Sequence, residues 1–327
     1  VSADLFSAFI GCNLFAGLLW GLTHLATKLM SSAAGRNLAW LALFLNVLLC
    51  AAWLFGPILA DHIDSAYCPT TITTIALPPW AGPALFLSWA GGAISVFMRA
   101  ALGRLTANRW LQRSSPLRPR DLAKLRASLH AELQGLEVRI AAKGDALAPI
   151  TWGVWKPVIL LPEEAYSWDA SRLRVVLLHE IAHVRRVDNG SQLLALLVCA
   201  LFWFNPLLWL SARRLEAESE IAADDLAIAG GVKPSEYAQE LLALAAGLGT
   251  HRARRFCETA MVTRSTLEER LRTILKQRGS RGELNARSLM APASVFICGV
   301  IALGLLASQL EASSKRQTTA QPSCLPP

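Results

Sequence analysis

Two histidines four residues apart, with a glutamate directly after the first, stand in the run Val175-Val176-Leu177-Leu178-His179-Glu180-Ile181-Ala182-His183. Positions i and i+4 of a helix lie one above the other on one face, so both imidazoles can reach a single metal ion. Glu180 then stands where a carboxylate can accept a proton from water beside that ion. The H-E-x-x-H pattern also arises by chance, and a pair of hydrogen-bonded core histidines is the plain alternative. The flanks favour the metal: apolar residues extend the helix upstream, and Asn189-Gly190 offers it a stop.

Hydrolytic zinc sites commonly take three protein ligands and leave a position open. Glu216, Glu220 and Asp224 recur every fourth residue, in a segment expected to be helical from Pro206 to about Ala229. Alone, such a stripe reads as a solvated acidic face. With two histidines upstream it becomes the source of the third ligand. Ahead of the histidines, Pro149 to Pro162 is β-branched and aromatic, punctuated by prolines and glycine, and predicts a strand pair. Val158, Ile159 and Leu160 are candidates for holding extended substrate by backbone pairing, because Pro157 favours a sheet edge. A buried core strand fits the same residues.

The rest of the chain places this chemistry at a membrane. Of 327 residues, 53% are hydrophobic and 17% charged, and the mean hydropathy is +0.37, too apolar for an ordinary soluble protein of this length. Residues 5–27, 37–60, 81–98 and 288–310 are four stretches without Asp, Glu, Lys or Arg, near the ~20 residues that cross a hydrocarbon core. The first lacks the basic start of a signal peptide and is read as a span. Lys28 and Arg36 follow the first stretch, Asp61 and Asp64 the second, and a block from Arg99 to Arg126 the third; another basic block, Arg252 to Arg287, precedes the fourth. The positive-inside tendency then puts the N-terminus outside, residues 99–287 in the cytoplasm and the tail 311–327 outside. This orientation predicts a multi-pass membrane protein with its basic loops inside.

The net charge of +8 lies mostly beside span ends and calls for no nucleic-acid partner. Anionic membrane lipids are the expected neighbours. The seven cysteines contain no C-x-x-C pair, which argues against a thiolate zinc site. Cys68 and Cys324 fall outside the membrane in this topology, where pairing and two free thiols are both open.

A fifth uncharged stretch, 193–210, cannot cross the bilayer if His179 and Glu220 share an ion. Asn205-Pro206 breaks it. The expectation is a helix from Ser191 to about Phe204, a break, then the Glu220 helix, both packed against or dipping into the membrane surface.

These motifs together resemble the BlaR/MecR family of membrane zinc metallopeptidases. They are P-x-x-x-G-x-x-x-P-x-x-L-L-P at 149–162, H-E-I-A-H-V-R-R-x-D-N at 179–189, F-W-F-N-P-L-x-W at 202–209 and E-x-E-x-A-x-D-D at 218–225. The resemblance implies a gluzincin: Zn2+ on His179, His183 and Glu220, Glu180 as general base, and Asp224 orienting a ligand histidine. It implies a mainly α membrane protein, four transmembrane helices with a cytoplasmic α+β metallopeptidase domain, residues 104–287, inserted between the third and fourth. It further implies a cytoplasmic repressor or other regulatory protein as substrate, and self-cleavage in the basic linker before the last span. Ala223 stands where many relatives have cysteine. Antibiotic-sensing relatives continue into a penicillin-binding domain with a Ser-x-x-Lys nucleophile; no Ser-x-x-Lys occurs among these residues, so a separate sensor protein is the expectation. Two rivals remain: a quality-control protease resembling heat-shock or CAAX-processing zinc peptidases, and a membrane transducer that keeps the metal domain as a scaffold. The intact Glu180 argues against the scaffold.

Overall fold

A computed structural model of the chain describes residues 2–30, 32–64, 80–118, 129, 133, 135–145, 148–248, 264–276, 292–297 and 299–301. Three long helices come first: α1 (Ser2–Leu29), α2 (Ala33–Asp64) and α3 (Ala81–Arg113). Each contains a segment long and apolar enough to cross a membrane, Ile10–Lys28, Ala33–Ala52 and Gly82–Arg113. The expected fourth span is described only over Pro292–Ile301, which is helical; the rest of it, Cys68, Cys324 and the tail lie outside the described residues. α3 runs on past its apolar stretch, through Arg99, Arg104 and Arg109, as one rod.

That rod hands the chain to a small sheet. Its strands are β1 (Ser115–Pro116), β2 (Glu137–Ile140), β3 (Ile150–Trp152) and β4 (Val158–Leu161), in the order β1-β2-β4-β3. β2 pairs parallel with β4, and β3 pairs antiparallel with it. The strand pair expected from residues 149–162 is therefore present, but its edge is β3. Val158, Ile159 and Leu160 are paired on both sides, and Ile159 and Leu160 are buried. Pro157 stands just before the first paired residue and so costs the ladder no donor. Gly153 makes the β3–β4 turn: its φ is +91°, and a Cβ there would meet the Lys156 carbonyl oxygen at 2.6 Å.

After a 3-10 turn (Glu163–Ser167) come α4 (Ala170–Arg186), α5 (Asp188–Leu201), α6 (Pro206–Ala229), α7 (Pro234–Leu248) and α8 (Arg264–Leu275). Asp169 caps α4 by accepting from Arg172 N. The stop expected at Asn189-Gly190 falls earlier. Val187 takes the left-handed conformation, φ 57°, and Asp188 to Gly190 already form the first turn of α5. A β-branched residue in that region is strained, and the sharp corner it makes turns the chain from the histidine helix into the α5–α6 hairpin.

Two cores result. One joins the sheet to α4, α7 and α8 through Ile140, Ile159, Leu161, Leu177, Ile181 and Ile274. The other joins α1 and α2 to α5 and α6 through Leu19, Trp40, Phe44, Val198, Leu208 and Leu215. The tip of the hairpin lies far along α1 from Lys28. Asn205 Nδ2 donates to Asn13 Oδ1 at 3.0 Å, and 15 residues of α1, roughly 22 Å, separate Asn13 from Lys28. Lipid tails are as apolar as leucine, so close packing has to hold such helices together. Gly92 supplies it in α3, where a Cβ would overlap the Trp203 indole at 2.1 Å. The broken backbone at the tip is satisfied: Trp89 Nε1 donates to Leu201 O at 2.8 Å, and Asn205 Oδ1 accepts from Leu207 N.

Candidate metal centre

α4 presents His179 and His183 on one face, their Nε2 atoms 3.2 Å apart. α6 starts at the hairpin tip and rises to bring Glu220 over them. Its Oε2 lies 3.5 Å from His179 Nε2 and its Oε1 lies 3.5 Å from His183 Nε2. Among the described residues these three form the one cluster that could hold a metal ion. The spacing suits an ion: tetrahedral ligands at about 2.0–2.1 Å are about 3.3 Å from one another. Glu216, the other glutamate of the stripe, is outside the cluster. A helix advances 100° per residue, so steps of four drift about 40° each, and the three acidic residues cannot all point alike.

Each histidine is oriented from behind. Asp224, buried, lies 3.2 Å from His179 Nδ1. Asp188, also buried, lies 2.8 Å from His183 Nδ1. Such a carboxylate fixes the tautomer so that Nε2 is left to meet an ion. The role expected for Asp224 thus has a matching partner in Asp188, which stands in the H-E-I-A-H-V-R-R-x-D-N motif but was assigned nothing from sequence. Five residues from His183, it is off that helical face, and only the Val187 corner swings it back.

Two further residues, Arg270 and Tyr237, complete the surroundings. Arg270 of α8, 8% exposed in its side chain, donates to Asp224 at 2.7 and 2.8 Å and pairs with Glu220 at 2.9 Å. Tyr237 of α7 donates to Asp224 at 2.6 Å, its oxygen 2.9 Å from His179 Nδ1. Burial by itself would raise the Asp224 carboxyl, but the Arg270 guanidinium and the His179 ring outweigh it and hold the group down at about 2. Glu220 is lowered for the same reasons. At Asp188, burial opposes the charge, and His183 and Arg186 more than reverse it. The centre is thus built to keep its carboxylates ionised. Asp188→Asn should weaken metal binding about 10–100-fold, read by competition against a chelator; unchanged affinity would mean that His183 needs no such partner.

Glu180, the residue between the two ligand turns, is buried and points at β3. Its Oε2 accepts from the Thr151 hydroxyl at 2.6 Å. Asn189 donates to the Thr151 and Gly153 carbonyl oxygens at 3.1 Å each, tying the edge strand to the first turn of α5. Among the described residues β3 has no strand on its outer side.

Residues 61–274 match the family model described as BlaR1 peptidase M56. The chain belongs to the M56 peptidases. The matched region takes in the sheet, both histidines, Glu220 and Arg270, so the candidate metal cluster lies within it. A curated relative, "Regulatory protein BlaR1" of Bacillus licheniformis, is 27% identical over 142 residues. The match spans 43% of this chain and 24% of that relative's length. Together with the apolar helices α1 to α3, the family match marks a membrane protein of the M56 peptidases.

Proposed function

We propose that this M56 peptidase is a zinc endopeptidase that cleaves a cytoplasmic regulatory protein at the membrane. The observation that carries the reading is the convergence of His179, His183 and Glu220 beside a glutamate, Glu180, that faces an open strand edge. Two imidazoles and one carboxylate suit zinc in a hydrolytic site. When bound there, zinc would supply Lewis acidity, lowering the pKa of water toward neutrality and polarising the scissile carbonyl. The protein's own groups do the rest. β3 offers its edge to an extended peptide, which pairs with it and lies across the face of α4. Thr151 holds Glu180 Oε2, leaving Oε1 to take a proton from the attacking water and deliver it to the departing amine nitrogen. The relative's printed name, a regulatory protein, supports a regulatory substrate, with self-cleavage as a second product.

Purified protein should hold about one zinc per chain, and His183→Ala should lose it while the fold persists, as read by elemental analysis and circular dichroism. Full metal retention in that variant would remove His183 from the ligand set.

The orientation is part of the proposal: an inner-membrane protein with four spans, residues 99–287 cytoplasmic, and both the N-terminus and the tail outside. The basic run from Arg99 to Arg126 supports it. So does the hairpin, which returns to the side it left. Cysteines introduced at Ser171 and Ser235 should be labelled from the same, inner face by a membrane-impermeant reagent. Labelling from opposite faces would overturn the topology.

A further inference from the structure

The turn between β3 and β4 carries the most exposed aromatic residue among those described in the peptidase half. Trp155 is 95% exposed and Val154 38%, and Lys156 beside them is exposed as well. Its height along the molecule indicates what covers it. Asn189 binds the Gly153 carbonyl, and Val154 lies 3.8 Å from where a Cβ on Gly190 would sit, so the turn stands level with the first turn of α5. From Asn189, α5 descends 12 residues to Leu201, whose carbonyl is held by Trp89 of α3. That descent is about 18 Å, while Arg99, the first cation of α3, stands about 15 Å above Trp89. Measured along the helices, the turn therefore stands near the charged stretch of α3, and Trp152 of β3 donates to Asn108 Oδ1 within that stretch at 2.8 Å.

With α3 crossing the bilayer as proposed above, that stretch would begin at the headgroup layer. The apolar surface there is continuous with the membrane face below: Val187 is 52% exposed, and Leu193 and Leu197, one helical turn apart on α5, are 40% and 38% exposed. The charges suit anionic lipid, since Arg185 at the end of α4 is exposed along with Lys156. An indole rests favourably where apolar and wet surroundings meet, and a lysine beside it can extend its ammonium to phosphate. We propose that the Val154-Trp155-Lys156 turn seats in the headgroup layer and pins β3 there, so that the peptidase favours peptides lying along or tethered to the membrane surface. The second half rests on the peptidase reading above; the lipid contact does not.

The test uses the full chain with p-benzoylphenylalanine in place of Trp155, reconstituted in phosphatidylcholine–phosphatidylglycerol vesicles and irradiated. Phospholipid adducts at position 155 are expected, and equally in a Glu180→Gln background, where peptidase activity plays no part. The same probe at Ser171, at the opposite end of α4, should yield none. Adducts at 155 no more frequent than at 171, or cross-links only to a second copy of the chain, would overturn the lipid contact. For the substrate preference, Trp155→Ser should lower cleavage of lipid-anchored casein on the order of tenfold while cleavage of free casein stays within about twofold. Equal loss on both would mean that the turn shapes β3 and does not select for the surface. If the unaltered chain cuts neither, the peptidase reading and the substrate preference fall together and the adducts still decide the lipid contact.

Discussion

Glu180→Gln is expected to lower peptide cleavage by about 10²–10⁴-fold while leaving the metal in place. The substitution keeps the shape and the Thr151 contact, since an amide oxygen can still accept from that hydroxyl. What it removes is the ability to take a proton. Glu180 is buried and turned toward Thr151, and His179, His183 and Glu220 make a three-ligand cluster without it. Metal content should therefore equal that of the unaltered protein. Single-turnover cleavage with metal analysis on the same sample separates the two effects. Near-normal cleavage would hand the base role to another group; loss of metal would make Glu180 a ligand.

The second large effect is on stability. Arg270→Leu should cost about 3–5 kcal/mol, the price of leaving buried carboxylates without their cation. Asp224 is 1% exposed, and Arg270 gives it two hydrogen bonds as well as charge. Because Arg270 also pairs with Glu220, saturating metal should recover part of the loss, by supplying positive charge to that carboxylate. Arg270→Lys should fall between, keeping the charge without the fork. Thermal unfolding in detergent, with and without added zinc, measures all three. A Leu variant within about 1 kcal/mol of the parent would mean that the cluster relaxes or admits water.

The pattern of what the sequence revealed follows from range. His179 and His183 were legible because four residues is one helical turn, and Asn205-Pro206 marked the start of α6 because a capping side chain followed by proline fits a helix's first turn. Glu220 was visible only as one of three in a stripe; choosing it took the family motif, and the cluster in the structure holds that same residue. Arg270 left no local sign. It lies 46 residues from Asp224, and its helix is set beside α6 and α7 only by tertiary packing. The sheet order was likewise beyond reach, since β4 becomes central through pairing with β2, an element 21 residues upstream strand start to strand start (Glu137↔Val158). Periodicity gives the two faces of a strand but not its neighbours.

α6 makes one continuous helix of what would otherwise be two parts. Its lower half packs against α1 and α2 through Leu208 and Leu215, Glu218 pairs with Arg36 at 2.8 Å, and Glu220 follows within the same turn. A helix transmits register without slack. One residue inserted after Leu208 would rotate Glu220 by about 100° away from the histidines, and seven would nearly restore the angle but raise it about 10 Å. Exchange between relatives is constrained accordingly. A graft that takes α1 and α2 from one protein and the peptidase region from another must carry the α5–α6 hairpin with the helices it packs on, yet the hairpin also bears a ligand of the peptidase. The seam can therefore be cut at no point along α6, and its two ends are free to change only in step with each other.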